Sequence, residues 1–365
     1  MRFSFIIPTR NRHDELAHTL HQLASYDPAL LANAAEVIVA DNASDAPVRV
    51  PSRLANAIPV HLIRLDHNAG AAARNTAAQR ATGDWLVMLD DDSHPTAGDF
   101  AALAQTAPED LAAIGAEILL PSGIHESGGL PEVIIGCACI IRRHAFLAVG
   151  GYDPSFEYYA EEYDLCAKLI AAGHRITHSR ALRFEHRKVD SGRSFDRILA
   201  RLVRNNGWVI ARYAPDHLRD DALRAMVDRY RTIAHRERAQ TGYNDGIDEL
   251  TSTIDNQPRV PLSPEHWDRF TGLAACRAHL IPQIRQHSAK RIALVARGKG
   301  DDLIEQVIRE SGAELVTDDH TADLRIAGSL SPGPMMDAAR VHESKAAWSM
   351  APEPLCSHAK SRTTM

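Results

Sequence analysis

Three adjacent carboxylates, Asp90, Asp91 and Asp92, end the apolar run 85–89 in the stretch GDWLVMLDDDSHP. Like charges crowded at one point repel, and a hard divalent cation makes the crowding tolerable. Oxygen ligands suit Mg2+ or Mn2+, commonly through one or two carboxylates with substrate phosphates completing the shell. An ion held this way can stabilise charge on a departing phosphate oxygen. A solvated acidic turn is the plain alternative. A second acidic group, Glu161, Glu162 and Asp164 in EEYDL, opens a helical pattern. Such acids either complement the helix dipole or, with reach to a hydroxyl, take its proton.

These acids are positioned by the elements around them. Apolar runs at 3–7, 36–40, 60–65 and 85–89 read as buried strands. Helical patterns fall between them: Asn11 reads as an N-cap before Leu16, Leu20 and Leu23, and the Ala-rich 69–81 stops at Gly83. This order predicts a parallel sheet with right-handed crossovers. Ligands of such sheets bind beyond the carboxyl ends of the strands. The four runs end in PTRNR, DNASD, DHNAG and DDDSHP, so four polar segments point to one rim. Further on, 133–141 and 175–178 read as strands, and 161–172 as a helix closed by Gly173. Helices are expected at 194–213 and 216–238. On the former, Arg197, Arg201 and Arg204 form a stripe opposite Ile198, Leu199, Leu202 and Val203, either solvated or facing an anionic, lipid-linked acceptor. The looser stretch 241–263 reads as a linker. Beyond it, a helix (264–287), a strand (291–296), a helix (301–311) and short strands (314–316, 323–327) predict a small second α/β unit. Within it, ARGKGDD at 296–302 lacks phosphate-loop spacing, though its glycines follow a strand and could bend toward a ligand.

The bulk composition narrows the function. The chain has 365 residues, 45% hydrophobic, enough for more than one domain. Its 41 Lys and Arg against 47 Asp and Glu give a net charge of −6, a poor match to a general nucleic-acid binder. Five cysteines without a CxxC pair argue against disulfides and a thiolate zinc site, and for a reducing compartment. The N-terminal apolar run is too short for a signal peptide, and no segment approaches the ~20 apolar residues of a membrane helix. The expected location is cytoplasmic, with peripheral contact at the inner membrane face allowed.

The segments FSFIIPTRNR, EVIVADNASD, NAGAAARNTAAQRATGDWLVMLDDD, GCACIIRRHAFLAVGGYDPSF and EEYDLCAKLIAAGHRI occur in register. In order and spacing they resemble family 2 glycosyltransferases over roughly residues 1–190. The resemblance implies the GT-A fold, a nucleotide-diphosphate sugar donor, a divalent metal and inversion at the anomeric carbon. It assigns Asp41 to the nucleotide base, where a carboxylate can accept a uracil or thymine imide N–H. Pro8, Thr9 and Arg10 match the loop bordering the base, although many relatives carry Tyr where this chain has Arg10. Arg74 matches an arginine that closes over the nucleotide, and Asn68 and Gly70 shape the turn before it. Asp92 is implied as the direct metal ligand, with Asp90 and Asp91 reaching metal-bound water or ribose. His186, in FEHRK, falls near the metal and diphosphate, so the implied metal set is Asp92, Asp90 and His186. Glu162 matches the acid that takes the acceptor's proton, with Glu161 the alternative. Gly150 and Gly151 precede the acceptor loop, and Arg187, Lys188 and Arg193 are expected to fold over the diphosphate.

The expected molecule is therefore α/β, with a GT-A (Rossmann-like, mostly parallel) central sheet, a helical extension and a small C-terminal α/β domain. The glycosyltransferase domain is placed at 1–240, its nucleotide half at about 1–95 and its acceptor half at about 96–240. A linker at 241–263, an accessory domain at 264–345 for acceptor recognition or assembly, and a flexible tail at 346–365 complete the chain. The expected activity is inverting, hexosyltransferase-type transfer, dependent on Mn2+ or Mg2+, from a UDP- or dTDP-sugar to a hydroxyl of a glycan or lipid-linked acceptor. Glycan, cell-surface polysaccharide or glycosylated natural-product biosynthesis would use it. Two other readings are a nucleotide-sugar binder without turnover, which has no need of Glu162, and a nucleotidyltransferase, which would want a Gly-rich phosphate loop near the N-terminus.

Overall fold

The computed structural model describes residues 1–189, 194–317, 319–343 and 349–350. The first elements are β1 (Phe3–Thr9), α1 (His13–Ala24), β2 (Ala35–Asp41), β3 (Val60–Arg64), α2 (Ala73–Arg80) and β4 (Trp85–Leu89). Next come β5 (Ser93–Ala97), α3 (Phe100–Thr106), β6 (Leu111–Leu119), β7 (Ala138–Arg142), α4 (Arg143–Ala148), α5 (Glu161–Ala171) and β8 (Arg175–His186). Helices α6 (Phe195–Tyr213), α7 (Asp216–Glu237), α8 (Gln240–Thr253), α9 (Pro264–Thr271) and α10 (Leu273–Gln286) follow. The chain continues through β9 (Arg291–Val295), α11 (Asp301–Glu310), β10 (Glu314–Val316), β11 (Leu324–Ala327), α12 (Pro332–Glu343) and β12 (Ser349–Met350).

Eight strands form one sheet in the order β3-β2-β1-β4-β7-β6-β8-β5. The first four are parallel, β6 pairs parallel with β8, and β7 and β5 run against their neighbours. The expected mostly parallel sheet with a helical extension is thus present. A second sheet, β10-β9-β11-β12, is parallel throughout.

The central strands read as unbroken apolar runs because both faces of the sheet are covered. Phe3, Phe5 and Ile7 point into one core with Leu16, Leu20, Leu23 and Phe100, while Ile6 points into the other with Ile38, Leu86, Met88 and Leu165. The Phe100 ring meets Phe3, Phe5, Tyr26 and Phe184 edge-on, with centroids between 5.8 and 6.2 Å away. The second core runs on through Phe270 and Leu280 to Ile292, Ile304 and Ile326 of the small unit. Both units therefore share one apolar interior.

Several expectations shift. Asn11 is not the N-cap; its φ is +56°, α1 follows Arg12, and its side chain exchanges two hydrogen bonds with Asp45 (2.8 and 2.9 Å) that tie the ends of β1 and β2. Only 138–141 of the expected strand 133–141 pairs in the sheet; Val133 instead closes a turn with Leu130 through two 3.0 Å bonds, and both carbonyls face the His178 ring. The short strand at 175–178 continues to His186, pairing first with β6 and then with β5. The stretch 241–263, read as a linker, carries most of α8. A Cβ on Gly242 would lie 2.1 Å from the Asp196 carbonyl oxygen, so this glycine serves close helix packing rather than looseness. The helix expected over 264–287 breaks at Gly272, whose φ is +88°. The expected tail at 346–365 lies outside the described residues except at 349–350. No helix among the described residues is long and apolar enough to cross a membrane.

Candidate functional site

The carboxyl ends of β1, β2 and β4 meet at one rim, as the sequence pattern predicts. Asp41, the last residue of β2, is fully buried. One of its oxygens accepts the Ser44 N–H at 2.9 Å, and Oδ2 has no hydrogen-bond partner, with the Arg64 guanidinium 3.8 Å away. Beside it, Asn42 holds the turn at 68–70, donating to the Gly70 carbonyl (2.9 Å) and accepting from Ala69 N–H (2.7 Å). Asn68 accepts from Gly70 N–H at 3.1 Å. Gly70 is obligatory: its φ is +59°, and a Cβ there would lie 2.4 Å from the Glu157 carbonyl oxygen. Pro8 is half-buried and Arg10 is exposed on the same rim, while Thr9 is buried and turns toward the acids.

At the end of β4 each acid of the triplet has a protein cation. Asp90 pairs with Arg74, which also donates to the Leu89 carbonyl at 2.9 Å. Arg12 bridges the other two, 3.0 Å from Asp91 and 2.7 Å from Asp92. Asp91 also accepts from the Thr9 hydroxyl at 2.8 Å. Burial nevertheless pushes the Asp91 carboxyl up to about 7, whereas Asp92 sits well below the usual range because His186 and Arg12 outweigh its burial. Against its own burial, Arg74 is held more firmly charged by Asp90. Arg12 was not among the expected site residues. The signal was available, since a carboxylate cluster calls for cations and Arg12 follows the strand next to β4.

His186 reaches the triplet through strand pairing: β8 runs antiparallel to β5 with Ser93 opposite His186. Its Nδ1 lies 2.9 Å from Glu126, and Nε2 lies 3.3 Å from Asp92 Oδ1. That second pair is not in hydrogen-bond alignment, so two buried atoms face each other without a partner. Burial disfavours the charged ring, yet Asp92, Cys137 and Glu126 raise His186 far above its usual range. Asp90, Cys137 and His186 also bring one ligand atom each within 4.8 Å of one another.

The residues fit a divalent cation in this respect: Asp92 Oδ1 and His186 Nε2 face each other 3.3 Å apart outside hydrogen-bond alignment, with Asp90 beside them, and an ion bound between them would displace the ring proton. Burial raises the Cys137 thiol, which makes it the neutral neighbour and not a hard-metal ligand. Glu126 and Cys137 carried no sequence signal, since only the fold brings 126, 137 and 186 together.

On the facing side, α5 delivers the glutamates. Glu161 is buried with Oε2 unpartnered, and Glu162 is half-buried, accepting the Gly136 N–H at 3.3 Å. Burial raises both carboxyls, Glu161 further because Glu162 adds repulsion. Arg74 and Asp90 act electrostatically on both glutamates. Tyr158 lies among Arg74, Asp90 and Glu161 and was not anticipated. Asp164 has a structural role, contacting Arg212 (2.9 Å), Tyr213 (2.7 Å) and Lys168 (2.9 Å).

Arg187 does not form part of a loop over a ligand: it points inward, donating to Glu15, to Thr19 (3.0 Å) and to the Asp91 carbonyl (3.2 Å). Lys188 pairs with Glu126 at 2.9 Å, and Arg193 lies outside the described residues. Gly150 and Gly151 adopt left-handed backbone, and Gly151 packs against Asn75 and Phe146. In the arginine stripe, Arg201 pairs with Glu157 and Arg204 with Glu249 (3.0 Å), so two of its three cations are neutralised within the chain.

Residues 4–123 match the model of the family described as Glycosyl transferase family 2. A pre-mycofactocin glycosyltransferase of Mycobacterium tuberculosis is 28% identical over 195 residues, covering 47% of this chain and 39% of that protein. An uncharacterized glycosyltransferase of Haemophilus influenzae is 29% identical over 196 residues, 46% of this chain and 61% of that one. The chain thus spans well under two thirds of these relatives' lengths. Among solved structures, S. aureus TarS 1–349 with UDP-GlcNAc gives a TM-score of 0.48 at 17% identity, over 86% of this chain and 93% of that one. GalNAc-T7 with UDP, GalNAc and Mn2+ gives 0.49 at 16%, over 70% and 57%.

Proposed function

We propose, for a chain that belongs to glycosyl transferase family 2 through residues 4–123, transfer of a sugar from a nucleotide diphosphate to a hydroxyl acceptor with inversion at the anomeric carbon. The observation that carries this reading is the meeting of three chemistries: the Asp41 oxygen without a hydrogen-bond partner, the misaligned Asp92–His186 pair, and the glutamate pair that opens α5.

Asp41 Oδ2 suits an imide N–H, which favours a UDP- or dTDP-sugar. Asp92, Asp90 and His186 would hold Mn2+ or Mg2+, which when bound stabilises charge on the leaving diphosphate oxygen. Arg74 and Arg12 keep the surrounding carboxylates compensated, so the anionic donor does not meet three bare charges. Glu162, less buried than Glu161, accepts the proton of the acceptor hydroxyl. The acceptor oxygen forms its bond to the anomeric carbon from the face opposite the diphosphate, whose bond breaks in the same displacement. The acceptor class in this reading is a glycan or lipid-linked hydroxyl.

The test is turnover of a panel of UDP-, dTDP- and GDP-sugars with and without Mn2+, with the product anomer read by NMR. Release of the nucleoside diphosphate with inverted product, lost on adding EDTA, is expected. Tight donor binding without turnover would replace the reading by that of a binding protein, and retention of configuration would remove Glu162 as base.

A further inference from the structure

The second α/β unit touches the site directly. The loop after β9 carries Lys299, whose backbone is locked by Leu330 N–H to the Lys299 carbonyl (2.8 Å) and by Gly298 N–H to the Gly328 carbonyl (2.8 Å). Gly300, with φ +77°, lets this loop press on Leu330, where a Cβ would come within 2.8 Å. From there the Lys299 ammonium crosses to α5. It lies 4.2 Å from the Tyr163 ring centroid and donates to the Tyr163 hydroxyl. Tyr163 packs edge-on against Phe270 at 6.2 Å and donates to the Gly129 carbonyl at 3.4 Å. The residue before Tyr163 is Glu162, the charge that acts on Lys299.

We infer that Lys299 is a positioning residue of the site: carried in by the second unit, it fixes the Tyr163 ring and brings a cation to the turn of α5 that carries Glu162, so the site is incomplete without residues beyond 290. The inference rests on the proposed role of Glu162. A buried carboxylate about to take a proton needs a compensating charge. Arg74, the other cation near Glu162, is already paired with Asp90. The further groups facing Glu162 are Glu161, Asp90, Tyr152, Cys139 and Cys166, none of them cationic. Burial pushes the Lys299 amine down to about 8, with Glu162 opposing. That poise is what an enclosed lysine facing a carboxylate should show.

Two measurements on the full chain test this. In the first, kcat for donor hydrolysis is followed against pH in wild type, Lys299→Met and Lys299→Arg. Loss of the cation raises the Glu162 carboxyl, so the acidic limb of the Lys299→Met profile moves up by about one unit or more while the donor KM changes little. Lys299→Arg restores the limb, and unchanged melting temperatures separate the effect from misfolding. A Lys299→Met profile superimposing on wild type overturns the inference. The second measurement needs no turnover: competitive acetylation with acetic anhydride, read by peptide mapping, titrates Lys299 in wild type and Glu162→Gln. Removing the facing carboxylate should move the labelling midpoint to lower pH. An unmoved midpoint overturns the inference, whereas a moved midpoint in a protein that turns over no donor supports the placement and counts against the enzymatic reading alone.

Discussion

Two guanidiniums, Arg74 on Asp90 and Arg12 on its neighbours, explain why three consecutive aspartates can be built into a strand end. Arg12 bridges Asp91 and Asp92, whose side chains are almost wholly enclosed. Removing one partner of such a group leaves buried charge uncompensated, at about 3 kcal/mol. Arg12→Met should lower the melting temperature of the metal-free protein, and Mn2+ should raise it by more than in wild type, because the freed carboxylates are left to the ion. Calorimetric melting with and without Mn2+ checks both halves, and an equal response to Mn2+ in the two proteins contradicts the placement. Glu162→Gln should lower kcat by ~10²–10⁴-fold with donor affinity retained by titration calorimetry, and a larger loss in Glu161→Gln would exchange the two roles. The sequence displayed the acids because charge repetition is visible locally. It pointed to Arg12 only through the strand order and did not display Lys299, since opposite charges close in space can lie tens or hundreds of positions apart.

At the scale of elements, the parallel strands were legible because enclosure on both faces demands apolar residues at every position, as in β1 and β4. The same demand is absent from β5, whose sequence SHPTA is recruited only by pairing with β8. Helix α8 was hidden by its glycines, which resemble those of a linker but allow close approach to α6: a Cβ on Gly246 would lie 2.6 Å from the Ala200 carbonyl oxygen. Gly242→Ala, with its tighter contact to Asp196, should destabilise by roughly 1–3 kcal/mol, read as a lower denaturant midpoint. A midpoint equal to wild type would show that the two helices separate freely.

For the whole molecule, the relevant feature is how the second unit is attached. Arg269 forks onto Glu132 at 2.6 and 2.9 Å, and the Ser331 hydroxyl is bonded to both the carbonyl and the N–H of Gly128. His125 sits between Glu117 (3.0 Å) and Asp337 (2.7 Å), linking β6 to α12. Its hydrogen bond to Glu117, then that to Asp337, raise His125 above its ordinary value. A group raised in the folded state stabilises fully below its unfolded value of about 6.5 and loses that contribution as pH rises through the folded value. Wild type should therefore lose more melting temperature than His125→Gln between about pH 6 and pH 9, and parallel curves would deny the clamp a role. That a second α/β unit exists was readable from its strand and helix pattern. That it shares a core with the first was not, because apolar residues do not announce which layer they join.

The shared interior has a consequence for how the protein is made. Translation releases the first sheet and α5 well before Phe270, Leu280 and Ile292 emerge from the ribosome. Until then, the nascent chain presents an oily face with nothing to cover it, and no complete reaction centre. A chain at that stage is prone to aggregate until the second unit folds onto the first.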